Sequence, residues 1–247
     1  MLERLYRRKT PPSQAITLEA ARALTEASVL IGRQIGLLID RSGTIKMVLV
    51  GSDRSILIPD LSTYRLGAKR LRGVRFIHTH LTDHPLNQED LTDLALLRLD
   101  LIAAIHARPD GLPGNISLAH LLPPNPREQV YEVLPPRPVH ALTIDAAEFI
   151  ADIERQMERA QAAARVAKKD RAILVSVSKK PRHDQEEALE ELKELARSDG
   201  ITVLDTVVQR PHDINPRYLM GAGKLKDLII RSQQLGADII VFDQDLS

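Results

Sequence analysis

The chain contains no cysteine and no tryptophan, and aromatic residues make up 3% of its 247 positions. Without thiols, a disulfide framework and thiolate zinc ligation are excluded, which leaves His, Asp and Glu as the metal-binding side chains. So few rings argue against stacking platforms for single-stranded bases. No apolar run reaches the roughly 20 residues of a membrane-spanning helix, and the basic stretch from Met1 to Pro12 lacks the apolar core of a secretion signal. A cytoplasmic protein with neither membrane nor disulfide partners is expected. Charge of one sign is also missing: 34 Lys and Arg stand against 33 Asp and Glu. Any nucleic-acid-binding face must therefore come from local clustering rather than global charge.

Hydropathy patterning predicts an α/β chain in two parts. Ala20, Ala21, Leu24, Ala27 and Ile31 recur at helical spacing before Gly32. Gln34 to Asp40 and Thr44 to Val50 read as strands joined by a tight turn at Arg41-Ser42-Gly43. Further β-rich runs at Ser55 to Pro59 and Gly73 to His80, a helix through Leu91 to Leu97, and strands at Leu101 to His106, Ile116 to Leu122 and Val130 to Leu134 complete a mixed-sheet α+β domain over residues 1–138. Pro135, Pro136 and Pro138 read as a linker. A polar, Ala-rich helix follows within residues 139–170. Residues 171–247 then alternate strand, helix, strand, helix, strand, which predicts a partial parallel βαβαβ unit. The chain stops at Ser247 with nothing obvious to cover the last strand, which reads as an interruption of a longer protein.

Within that unit, the blocks RAILVSVS, ELKELARSDGITVLDTVVQRP, YLMGAGKLKDL and ADIIVFDQDLS resemble, in order and spacing, the N-terminal domain of the HflX family of ribosome-associated GTPases. The resembling positions include Tyr218, Gly221, Gly223, Lys224, Asp243, Asp245, Leu246 and Ser247; Ala222 stands where the family more often has Lys. The resemblance implies a GTPase that uses GTP and magnesium, binds the large ribosomal subunit and its rRNA, and helps split or rescue stalled ribosomes. It also implies nucleotide binding by the N-terminal domain. Gly221-Ala222-Gly223-Lys224 can present backbone N–H groups and a cation at a helix start, so a phosphate of nucleotide or RNA can sit there. The alternative is a glycine turn that lets strand and helix pack closely. Arg210, in the preceding loop, is a second candidate phosphate contact. The spacing is not that of a P-loop, and Leu225 replaces the magnesium-binding hydroxyl. GTP hydrolysis is therefore assigned to a downstream G-domain, and the chain alone is expected to hydrolyse neither GTP nor ATP.

In the first domain, His78-Thr79-His80 and the later Asn87-Gln88-Glu89-Asp90 resemble the His-x-His and Ser-x-x-Asp elements of JAMM/MPN metalloproteases and their inactive relatives. Alternate residues at a strand end point the same way, so His78 and His80 can offer two imidazoles to one zinc, with Asp90 as the third ligand. The alternative is a plain helix start, with Asn87 as N-cap and Asp90 facing the helix dipole. The resemblance departs from the active pattern at three places. Gln34 stands where that family has its glutamate base, Asn87 replaces serine, and the His80 to Asp90 loop is one residue short. No catalytic residue is therefore assigned. Three functions compete: a ribosome-binding accessory region of a GTPase, a metal-dependent hydrolase or its inactive metal-binding relative, and a free-standing adaptor.

Overall fold

In a computed structural model that describes residues 2–61, 63–64, 71–166, 170–210 and 219–243, the chain divides into two compact units. The first comprises Met1–Leu122 and Tyr131–Glu158; the second comprises Pro123–Val130 and Arg159–Ser247. Among the described residues, no helix is long and apolar enough to cross a membrane.

The first unit is a six-stranded mixed sheet in the order β2-β1-β3-β4-β5-β6. Its elements are α1 (Glu3–Tyr6), α2 (Leu18–Ile31), β1 (Ile35–Asp40), β2 (Ile45–Val50), β3 (Val74–His80), α3 (Gln88–Leu97), β4 (Ile102–Ala107), β5 (Pro113–Leu121), β6 (Tyr131–Pro138), a 3-10 turn at Val139–Ala141, and the start of α4 (Ala146–Val166). Only β3 and β4 pair in parallel; the remaining neighbours are antiparallel. Side chains alternate across a strand, and the contacts identify the two faces. Ser28 of α2 reaches the Thr79 hydroxyl at 2.8 Å on one face, while Asp90 of α3 reaches His78 and His80 on the other. The central strands β1, β3 and β4 are covered on both faces. Accordingly Leu37, Leu38, Phe76, Ile77, Ile102 and Ala103 are all buried.

Two expectations fail here. Ser55 to Pro59 is not a strand: the Ser52 hydroxyl accepts the Arg54 and Ser55 amides, and the chain folds back so tightly that a Cβ on Gly51 would lie 2.2 Å from the Ser55 carbonyl oxygen. A local side-chain turn outcompetes the ladder that the β-branched residues favour. Pro135, Pro136 and Pro138 lie within β6 rather than in a linker. β6 is the sheet's outer strand, where a missing N–H need cost no ladder bond.

The second unit is a three-stranded parallel sheet in the order β8-β7-β9, made of β7 (Arg171–Val177), β8 (Thr202–Gln209) and β9 (Ile239–Phe242), connected by α5 (Arg182–Ser198) and α6 (Ala222–Leu235). The order 2-1-3 follows from one crossover to either side of the central β7, which is buried from Ala172 to Val177. Gly200 and Gly236 end their helices in the left-handed region, with φ +77° and +67°. Arg231 on α6 forks between Asp205 and Glu128, at 2.8 and 2.6 Å, and so ties the segment 123–130 into this unit.

Candidate functional site

The three predicted ligands of the first unit converge. His78 and His80 share the α3 face of β3, both buried. Across the sheet the register sets His78 between Gly36 and Ala104, and His80 beside His106. Gly36 is required by a close approach: a Cβ there would lie 2.5 Å from the Phe76 ring, which stacks on the His78 imidazole at 5.1 Å. Continued by two residues, the β1 register brings Gln34 opposite His80, and Gln34 is buried.

Asp90 reaches the pair through a capping box. The Asn87 side chain accepts the Glu89 and Asp90 amides, and the Asp90 carboxylate accepts the Asn87 amide at 2.8 Å. The helix start is therefore capped by Asn87, and the same box aims Asp90 at the histidines. His78 Nε2 lies 3.2 Å from Asp90 Oδ1, His80 Nε2 lies 3.4 Å from Asp90 Oδ2, and the two Nε2 atoms are 3.0 Å apart. Three donor atoms on a tetrahedral zinc would stand about 3.3 Å from one another, given zinc–ligand distances near 2.0–2.1 Å.

The electrostatics agree with that spacing. Burial holds the His78 imidazole below its ordinary pKa, against the pull of Asp90, and so favours the neutral ring that a metal requires. Burial alone would raise Asp90, but hydrogen bonds from His78 and His80 hold its carboxyl well below the usual range. His80 Nδ1 donates to the His84 carbonyl at 3.2 Å. A carbonyl only accepts, so this bond takes a proton at Nδ1 and leaves Nε2 as the nitrogen that could ligate a metal. The two Nε2 atoms and the Asp90 carboxylate oxygens thus form one compact group of donor atoms that could share a cation.

Beside the cluster opens a cleft of about 860 Å³, lined by the 81–87 loop and by Asp53 and Arg54. His84 stands in its wall, with its ring 4.4 Å from that of His80. His106 Nδ1 pairs with Asp83 at 3.4 Å in the space that Gly114 leaves, where a Cβ would lie 2.9 Å from that nitrogen. Tertiary packing brings Asp83 to His106, whereas His84 lies against His80 only four residues earlier in the chain.

The second unit is more dispersed. Gly221 is the N-cap of α6, so Gly223 and Lys224 lie in its first turn. A Cβ on Gly221 or Gly223 would meet nothing within 4 Å, and neither residue has a positive φ. Among the described residues, no neighbour and no positive φ requires either glycine. Lys224 is exposed and lies 3.6 Å from Asp227. Arg210, past the end of β8, donates to the Lys179 carbonyl at 3.3 Å. Asp243 accepts from the buried Ser176 hydroxyl, which also meets the buried Gln185. Of this network at the strand ends, the sequence marked Asp243, as one of the resembling positions, but neither Ser176 nor Gln185. Tyr218, Asp245, Leu246 and Ser247 lie outside the described residues.

Residues 186–247 match a family described as GTP-binding GTPase N-terminal. The chain is 37% identical over 79 residues to the GTPase HflX of Caldanaerobacter subterraneus subsp. tengcongensis, an alignment covering 32% of this chain and 18% of that protein. It is 37% identical over 78 residues to the GTPase HflX of Lacrimispora saccharolytica, again covering 32% and 18%. The chain thus spans 18% of the length of either relative.

Proposed function

We infer, from the match of residues 186–247 to the GTP-binding GTPase N-terminal family and the 37% identity to GTPases HflX, that the chain serves as the accessory region of such an enzyme. In this reading it acts in the cytoplasm, engages rRNA of the large ribosomal subunit and helps split or rescue ribosomes, while GTP and magnesium are handled by a G-domain elsewhere in the protein. The match over 186–247, which falls on the parallel βαβαβ unit, carries the proposal. Gly221, Gly223 and Lys224 at the α6 start, with Arg210 after β8, are the proposed contacts to nucleotide or RNA phosphate. Glycines that no contact among the described residues requires would let backbone N–H groups at the helix start approach a ligand. The test is co-sedimentation with isolated large subunits at two salt concentrations. Lys224→Ala should weaken binding and reduce the salt slope by roughly one contact. Equal binding by both proteins at both salts would remove Lys224 from the interface, and no binding by either would overturn the accessory-region reading.

A second reading concerns the first unit and rests on the convergence of His78, His80 and Asp90. We propose that these residues hold a zinc ion, as in JAMM/MPN-type domains. When bound, zinc polarises carbonyl oxygens and acidifies water. The protein's own residues supply little else for hydrolysis: Gln34 carries an amide where that family has a carboxylate base, and an amide takes up no proton at neutral pH. The donor set therefore supports a metal-binding relative in preference to a peptidase. Elemental analysis of the purified chain should find zinc in the wild type and little in His78→Ala. A metal-free wild type that also fails to bind added zinc would end this reading.

A further inference from the structure

We propose that His84 is the fourth protein ligand of this metal centre, so that the site closes as a His3Asp shell rather than keeping a position open for water; the inference rests on the zinc reading above. His84 already takes part in the site twice. Its carbonyl accepts the Nδ1 hydrogen of His80 and thereby orients that ligand. Its imidazole lies 4.4 Å from the His80 ring, at the wall of the cleft. The tautomer suits ligation as well. His84 Nδ1 donates to the Pro85 carbonyl at 3.1 Å, which leaves the lone pair of the neutral ring on Nε2.

At present the His84 nitrogens fall outside the three-atom group, whose members lie within 4.8 Å of one another. Ligation therefore requires His84 to rotate about its own side-chain torsions and give up its exposed hydrogen bond to the Pro85 carbonyl for water, which an exposed side chain does at little cost. The chemistry of the surroundings favours closure. Zinc sites that activate water keep three protein ligands, an open position and a nearby base, whereas closed four-ligand sites are structural. Gln34 removes the base, and a third imidazole from the short 81–87 loop would remove the open position. A closed shell would then fasten that loop, and with it one wall of the cleft, to the sheet through the metal.

The test uses the full chain loaded with zinc or cobalt. X-ray absorption of the zinc form should count three imidazoles, falling to two in His84→Ala. Zinc affinity of that variant should drop roughly 10- to 100-fold, with metal still bound through the remaining three residues. In His84→Cys, the cobalt form should gain a thiolate-to-cobalt charge-transfer band, a readout that loss of folding does not produce. Two imidazoles in the wild type, with unchanged affinity in His84→Ala and no thiolate band in His84→Cys, would overturn the proposal and leave the three-residue zinc site standing. Absence of zinc binding by the wild type would overturn both.

Discussion

Gly43 and Gly223 behave oppositely as single residues. Gly43 closes the β1–β2 turn at φ +83°, and a Cβ there would lie 1.6 Å from the Thr10 carbonyl oxygen. Gly43→Ala meets both backbone strain and a collision with fixed main chain, and should lose on the order of 2 kcal/mol or more in urea unfolding. Gly223 sits in a helical turn with open space around it, so Gly223→Ala should raise stability by up to about 1 kcal/mol. A Gly223→Ala chain that melts no lower yet binds large subunits more weakly would trace the glycine to the ligand. Asp40, in the same turn as Gly43, gives a pH dependence. Burial works to raise its pKa, but the Ser42 hydroxyl, the Thr44 amide and Lys46 outweigh that and lower it. A carboxylate with a depressed folded pKa contributes stability that is present above its unfolded value, ordinarily 3.8, and is lost as pH falls through the folded one. Acid titrations should therefore show wild type losing stability relative to Asp40→Asn below about pH 4; parallel curves would remove Asp40 from the acid response.

At the scale of elements, α4 is held to the sheet by charge as well as by Ile150, Ile153 and Met157. Arg41, in the β1–β2 turn, meets the buried Asp100 at 2.7 and 2.9 Å and the buried Glu154 of α4 at 2.9 and 3.0 Å. Asp100 and, less strongly, Glu154 raise the pKa of Arg41 above its ordinary value. One planar guanidinium thus serves two carboxylates that water scarcely reaches. Arg41→Ala strands both, at a cost on the order of 2–3 kcal/mol, moderated because Arg41 itself is 41% exposed. Arg41→Lys should recover only part of this, since a point charge cannot form two bidentate pairs. Chemical denaturation of both variants measures it, and a full rescue by lysine would show that charge, not fork geometry, holds α4.

For the whole molecule, a metal centre in one of two compact units should act unevenly. Zinc bound to the folded state stabilises by about 2.7 kcal/mol at a hundredfold excess over its dissociation constant. The gain belongs to the structure that brings β3 and α3 together. Hydrogen exchange with and without zinc should show added protection across β3, the 81–87 loop and α3, with β7 to β9 unchanged. Protection spread evenly over both units would mean that they unfold as one.

Much of this protein is determined locally and was legible in the order of its residues. The βαβαβ alternation, the Asn87 cap, the left-handed glycines at 32, 200 and 236, and the placing of His78 and His80 on one strand face follow from helical and strand periodicity and from glycine's freedom at positive φ. Other features depend on contacts between residues far apart in the chain. Pro135 to Pro138 became a strand only because β6 is an outer strand, and Ser55 to Pro59 failed to become one because Ser52 turned the chain back. Arg41 found its two carboxylates 59 and 113 residues away. Asp90 met the histidines, and His84 came beside His80, through the packing of α3 and its preceding loop on β3. Periodicity tells a side chain which face it occupies. Only the packed sheet decides what lies opposite, and in this protein that decides whether two histidines and an aspartate are a helix start or a metal centre.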